Sequence, residues 1–282
     1  MFNLTEEELC RYINEDLPYL DLTTHVQEEK NIKATLEIYT REDIIVACSE
    51  EAASIAKILG CKIKKFKPSK TELKKGEVIL KIKGSYEKIQ QVLKLSQVLL
   101  EYSCKIATQT KSMLKIIKQY NSSCELLTTR KTIPFSKRMC IKAILCGGAL
   151  PHRLGLSESI LFFDYHRIIY DNNETFYKEI NKLKNRLPEK KIVVESKTYE
   201  DSKKLIENCI DVLQLDKIDL DTTKKIIEYK NKINKNIKIL LCGGINLSNV
   251  KDYAKLEIDG IVSSSMYSCG MANLGCKLEI KK

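Results

Sequence analysis

Two rhythms of hydrophobic and polar positions divide this chain near residue 123. Before it the pattern is mixed. Residues 5–16 carry apolar positions at helical spacing and stop before "LPYLDLTT", where Pro18 and Asp21-Leu22-Thr23-Thr24 predict an ordered connection. "ATLEIYTREDIIVACS" has the alternation and the Ile and Val content of strands. A helix follows from about Glu50 to Leu59, then strands in "CKIKKFKPS" and "EVILKIKGS". That β-β-α-β-β order predicts a small sheet with a helix on one face. From Tyr86 to about Lys118, Ile89, Val92, Leu93, Leu95, Leu99, Ile106, Met113 and Ile117 recur at helical spacing, predicting one or two long helices that lead into a second domain.

After residue 123, short apolar runs alternate with charged amphipathic segments. The runs are "CELLTT", "SILFFD", "KIVVES", "DVLQLD", "IKILLC" and "DGIVSS". Repeated βα units require a parallel sheet, because each return to the same edge needs a crossover. Polar residues gather at the ends of these runs: Arg130 and Lys131, Glu195, Asp216, Gly243-Gly244, and Ser263-Ser264. In a βα-barrel those ends form one face, where chemistry is housed. The final "CKLEIKK" predicts a short strand outside the barrel that returns to the first sheet.

Composition narrows the class. A chain of 282 residues with 43% hydrophobic content builds one large domain or two ordinary ones. No apolar run approaches the roughly 20 residues of a membrane span, and the acidic, broken N-terminus does not fit a secretory signal, so a cytoplasmic location is expected. The 11 Cys are scattered without a Cys-x-x-Cys spacing, which argues against a disulfide framework or a zinc site. The net charge of +11 comes from Lys spread along the chain rather than from a patch, so no nucleic-acid partner is expected. Arg behaves differently: Arg130, Arg138, Arg153 and Arg167 cluster in a chain that otherwise prefers Lys, hinting at planar grips on carboxylate or phosphate.

Several stretches carry candidate chemistry. "LCGG" occurs at 145–148 and at 241–244; a glycine pair after a strand lets backbone N–H groups approach an anion, and a following helix N-terminus adds positive potential. Either pair could equally be a tight turn, but Ser263, Ser264 and Ser265 after the next run favour a phosphate cradle at the second. "TTRKTIP" offers Arg130 and Lys131, which a loop would let serve one anionic ligand. His152-Arg153 follows glycine and proline, as in a rigid cationic loop, whereas His25, His166 and Arg167 read as structural or surface residues. Glu195 and Asp216 suit sugar hydroxyls and a Mg2+ that keeps several waters. With no credible nucleophile, the set points to transfer at a phosphorylated sugar by positioning and electrostatics.

"DLPYLDLTT", "IATQTKSM", "TTRKTIP", "CGGALPHRLGLSES", "VVES", "VLQLD" and "LLCGGINLSNVKDYA" together resemble the quinolinate phosphoribosyltransferase (nicotinate-nucleotide pyrophosphorylase) family over nearly the whole chain. The resemblance implies the type II phosphoribosyltransferase fold. That is an N-terminal α/β sandwich domain over 1–108 closed by a C-terminal strand at 271–282, and a seven-stranded open α/β barrel over 109–270. It also implies a homodimer with shared active sites, or a higher oligomer built from it, and no membrane partner. Substrates would be phosphoribosyl pyrophosphate and a small acidic heteroaromatic acceptor, with Mg2+ as cofactor. Carried over by position, Arg130, His152 and Arg153 bind the acceptor and Lys131 acts near the leaving pyrophosphate. Glu195 and Asp216 hold the ribose hydroxyls and metal, and Gly243, Gly244, Ser263 and Ser264 hold the 5'-phosphate.

Three departures from the quinolinate enzymes stand out. Phe163 in "FFDYH" replaces a pocket lysine, Lys94 in "LKLSQ" replaces an arginine that reaches into the partner's site, and Cys242 replaces a serine hydroxyl. With "SSSMYS" they look like the ModD-type pyrophosphorylase branch, named for an association with molybdenum transport. The expectation is a transferase whose acceptor carries fewer or differently placed carboxylates. The alternatives are a true quinolinate enzyme making nicotinate mononucleotide for NAD biosynthesis, and a non-catalytic oxyanion-binding protein.

Overall fold

The computed structural model describes residues 2–280. Met1, Lys281 and Lys282, at the ends of the segments expected to form the first domain, lie outside them. By internal contacts the chain falls into two units: the chain up to Lys111 with residues 132–148 and the chain from Met266, and Ser112–Lys131 with Ala149–Ser265.

The first unit holds strands β1 (Lys33–Thr40), β2 (Ile44–Ile45), β3 (Lys62–Phe66), β4 (Glu72–Leu73) and β5 (Val78–Ser85). Alternation in "KATLEIYT" buries Ala34, Leu36, Ile38 and Thr40 on one face of β1. Ala34, Leu36 and Ile38 pack in one cluster with Leu80 and Ile82 of β5, Ala52 and Ala56 of the helix Ser49–Ile58, and Ile89, Val92 and Leu100 of the next helix. That helix, Tyr86–Tyr120, is one continuous element of 35 residues, since no Pro or Gly interrupts it. The C-terminal run does return to this sheet: it pairs antiparallel with β1, from Ala34↔Ile280 to Thr40↔Leu274, giving the order last strand, β1, β5, β3.

The second unit is a parallel sheet of β6 (Glu125–Thr128), β7 (Leu150–Pro151), β8 (Ile160–Phe162), β9 (Ile192–Ser196), β10 (Val212–Asp216), β11 (Lys238–Cys242) and β12 (Gly260–Ser263). Its order β7-β6-β12-β11-β10-β9-β8 follows the chain around a barrel and leaves it open between β7 and β8. The apolar runs predicted six of these strands. The seventh, β7, has two residues and no run of its own, and is held by pairing Leu127↔Leu150 and Thr128↔Pro151. No helix of the described residues is long and apolar enough to cross a membrane.

Candidate active site

Strand parity builds the site. Leu127, Leu161, Val193, Val212, Leu240 and Val262 pack together inside the barrel, one from each of six strands. Side chains two positions further on point the same way. Those residues are Thr129, Phe163, Glu195, Gln214, Cys242 and Ser264, with Asp216 two beyond Gln214. All seven line a cavity of about 700 Å³ at the carboxyl ends of the strands. An apolar floor and a ring of functional groups above it thus share one register.

Cations enter from the loops after β6 and β7. Arg130 and Lys131 leave the strand before its alternation would separate them, and both line the cavity. The backbone N–H of His152 donates to Thr128 O at 2.9 Å, extending the short β7 and setting His152 and Arg153 at the cavity wall. Arg153 is only 9% exposed. Burial and then the Arg153 charge hold the His152 imidazole below its ordinary value, favouring the neutral ring. Burial and then Arg130 lower Arg153.

The other two arginines of the cluster are structural. Arg138 pairs with Glu8 at 3.1 Å and donates to Asn3 O at 2.9 Å. Arg167 grips Asp201 through two bonds of 2.7 and 2.9 Å, and lies 4.7 Å over the Phe176 ring. The predicted bidentate grip is therefore real at Arg167, but on the chain's own carboxylate.

Opposite charge comes from β9 and β10. Glu195 Oε2 accepts from Gln214 Nε2 at 3.1 Å, and one ligand atom each of Glu195, Asp216 and Cys242 lie within 4.8 Å of one another. Burial, and then Asp216, push the Glu195 carboxyl above the usual carboxylate range. Burial followed by Asp216 pushes the Cys242 thiol up. The Sγ of Cys242 lies 3.5 Å from Asp216 Oδ1. Two neighbouring carboxylates in a partly buried wall fit a hard divalent cation that keeps some of its water.

The second "LCGG" lies where an anion loop would, at the end of β11. Gly243 has φ +90°, and a Cβ there would meet Lys217 Cγ at 2.4 Å and Asp216 Oδ1 at 2.5 Å, so only glycine fits. The helix after it, Val250–Ala254, has five residues, so the expected helix-dipole contribution is minor and any anion would be held by loop groups. Ser263 Oγ donates to Ile245 O at 2.6 Å and is buried, which fixes this loop; Ser264 is the one with inward parity.

The first "LCGG" departs from the anion-loop reading. It ends the helix Lys137–Cys146 rather than a strand, and a Cβ on Gly147 would meet Ala107 O and Thr110 Cβ at 2.5 Å, so it serves close packing in the first unit. Lys94, in that unit, is exposed, donates to Gln97 at 3.0 Å and does not line the cavity. Sequence reading missed Gln214, Lys217 and Tyr165 as lining residues. The signal for Gln214 was present: it is two positions before Asp216 on a strand.

This geometry, an open seven-stranded parallel barrel with its polar ring at the carboxyl ends, defines the class of type II phosphoribosyltransferase folds. Profiles for quinolinate phosphoribosyl transferase match it twice, the N-terminal domain over residues 21–104 and the C-terminal domain over 106–273. The chain therefore belongs to the quinolinate phosphoribosyl transferase family and is a pentosyltransferase. Similar relatives include "Putative pyrophosphorylase ModD" of Pasteurella multocida, 32% identical over 95% of both chains, and the protein of that name from Escherichia coli O157:H7, 28% identical over 99% of this chain and 98% of that one. The ModD-type branch expected from the sequence is thus the one to which these similar proteins belong. The solved nicotinate-nucleotide pyrophosphorylase of Francisella tularensis shares the fold with a TM-score of 0.87 at 22% identity, over 98% of each chain.

Proposed function

We propose that this chain joins C1 of phosphoribosyl pyrophosphate to a ring nitrogen of a heteroaromatic acid other than quinolinate, releasing pyrophosphate. The observation that carries this reading is the division of one cavity into two charged walls. Arg130, His152 and Arg153 stand on the loops after β6 and β7, and Glu195 and Asp216 on β9 and β10.

The cations bind the acceptor's carboxylate and orient its ring. Its apolar edge meets Phe163, whose ring sits 4.1 Å from that of His166. As the acceptor nitrogen's lone pair forms the new bond to C1, the C1–O bond breaks and its electrons leave with pyrophosphate. Lys131 stabilises that departing charge, while Glu195 and Asp216 steady the oxocarbenium-like sugar through its hydroxyls. Gly243, Gly244 and Ser264 hold the 5'-phosphate. Glu195 and Asp216 would also hold a divalent cation, which when bound would neutralise charge on the leaving group.

The chain acts as a homodimer in which Lys94, exposed on its helix, reaches the partner's cavity. Incubation with phosphoribosyl pyrophosphate and a panel of acceptors, read by pyrophosphate release, tests the reading. Release with a monocarboxylic heteroaromatic supports it. Carbon dioxide release from quinolinate at an ordinary catalytic rate would make this a quinolinate enzyme, and tight molybdate binding with no phosphoribosyl pyrophosphate binding would make it an oxyanion-binding protein.

A further inference from the structure

Between the carboxylate wall and the phosphate loop, the inward ring brings a thiol and an amide into the space of Glu195 and Asp216. The ligand atoms of Glu195, Asp216 and Cys242 lie within 4.8 Å of one another. Atoms bound to one tetrahedral zinc at about 2.3 Å for sulfur and about 2.1 Å for oxygen sit roughly 3.6 Å apart. The Cys242 Sγ to Asp216 Oδ1 distance is 3.5 Å.

Gln214 supplies an independent observation. It is 5% exposed, it lines the same cavity, and its Oε1 has no hydrogen-bond partner. Turning the amide over does not repair this. It would set the carbonyl against the Glu195 carboxylate, which now accepts from Nε2 at 3.1 Å, and would leave the NH2 group where the oxygen is now. A buried carbonyl with no donor has the chemistry of a site that a cation or its water completes.

We propose that Glu195, Asp216 and Cys242, with Gln214 Oε1 as a direct or water-mediated fourth contact, form a mixed oxygen and sulfur centre that selects a thiophilic divalent ion of the Zn2+ and Co2+ class over Mg2+. Two carboxylates alone favour hard ions, whereas a thiolate in the same space reverses the preference, because Mg2+ gains little from sulfur. Binding converts the Cys242 thiol to a metal-bound thiolate and releases its proton to solvent. The proposal rests on reading this cavity as a metal-assisted transfer site, but its test reads metal and thiol chemistry, so the two can fail separately.

The full chain is titrated with Co2+, following the sulfur-to-cobalt charge-transfer absorption in the near ultraviolet, and then with Zn2+ in competition. Wild type and Cys209→Ser, which removes the exposed thiol, should both show the band, and Cys242→Ser should lack it. Zn2+ affinity should fall on the order of 100-fold in Cys242→Ser and about 10-fold in Gln214→Leu. A cobalt spectrum without the sulfur band, or a band that survives Cys242→Ser, would each overturn the proposal. Lack of pyrophosphate release with every acceptor would count against the transferase reading and leave this one standing.

Discussion

Two regions of this chain concentrate charge out of water, and they treat it in opposite ways. In the first unit, Lys142 is 1% exposed, and its Nζ donates to both Glu51 carboxylate oxygens at 2.7 Å, to Glu50 at 3.1 Å and to Asn3 Oδ1 at 2.8 Å. Burial opposes the Lys142 charge, but Glu51 outweighs it and holds the lysine above its ordinary value. In the barrel cavity, like stands beside like: burial and then Arg130 lower Arg153, and burial and then Asp216 raise Glu195. The first arrangement is complete within the chain. The second places cations and carboxylates on separate walls, where each keeps bonding capacity that a ligand would use. Paired burial marks a structural charge, and unpaired convergence marks a functional one.

The largest expected effect lies in the paired region. Lys142→Met leaves Glu51, itself 1% exposed, buried without a cation, and should cost about 3–5 kcal/mol in urea unfolding. Adding Glu51→Leu should recover most of that loss, because removing both charges removes the desolvation problem. If the double variant is no more stable than the single one, the cluster is not the self-contained pair described here. A smaller loss is expected at the cavity. Gly243→Ala forces a side chain into the left-handed region, costing about 1–2 kcal/mol, and against Asp216 and Lys217 it should also move the loop. Calorimetry should show phosphoribosyl pyrophosphate affinity falling about tenfold or more, the equivalent of about 1.4 kcal/mol. Unchanged affinity would remove this loop from the phosphate site.

The same contrast explains what could be read from the sequence. Strand ends were legible because βα alternation makes them a single face, so Arg130, Lys131, Glu195, Asp216 and the second glycine pair were found as one constellation. Two-residue β7 was not, since register with β6 rather than an apolar run creates it, although the His152-Arg153 loop that follows it was legible from its glycines and proline. The two "LCGG" runs are identical in sequence yet differ in role, because what precedes each, a helix in one case and a strand in the other, decides whether the glycines pack or present. Period-2 spacing from Asp216 puts Gln214 on the same face, but a neutral amide inside a strand carries none of the charge that marks the strand ends. The Lys142 cluster was invisible, for nothing local distinguishes this lysine from the many exposed ones.

Glu195 offers the finest test, because its sign is opposite to that of a paired carboxylate. Burial and Asp216 raise its folded-state pKa. Between the unfolded value, about 4.3 for glutamate, and that higher one, the folded chain therefore holds a proton the unfolded chain has released. Stability from this group is fully present below the unfolded value and is lost as pH rises through the folded one. At neutral pH the ionised Glu195 is thus a destabilising residue. Glu195→Gln, whose amide oxygen can still accept from Gln214, should unfold at a higher temperature at pH 7. The difference should shrink as pH falls and vanish near pH ~4. The same change should weaken binding of phosphoribosyl pyrophosphate in the presence of metal. A variant less stable than wild type at pH 7 would place Glu195 with Glu51, as a charge that the fold has paired for itself.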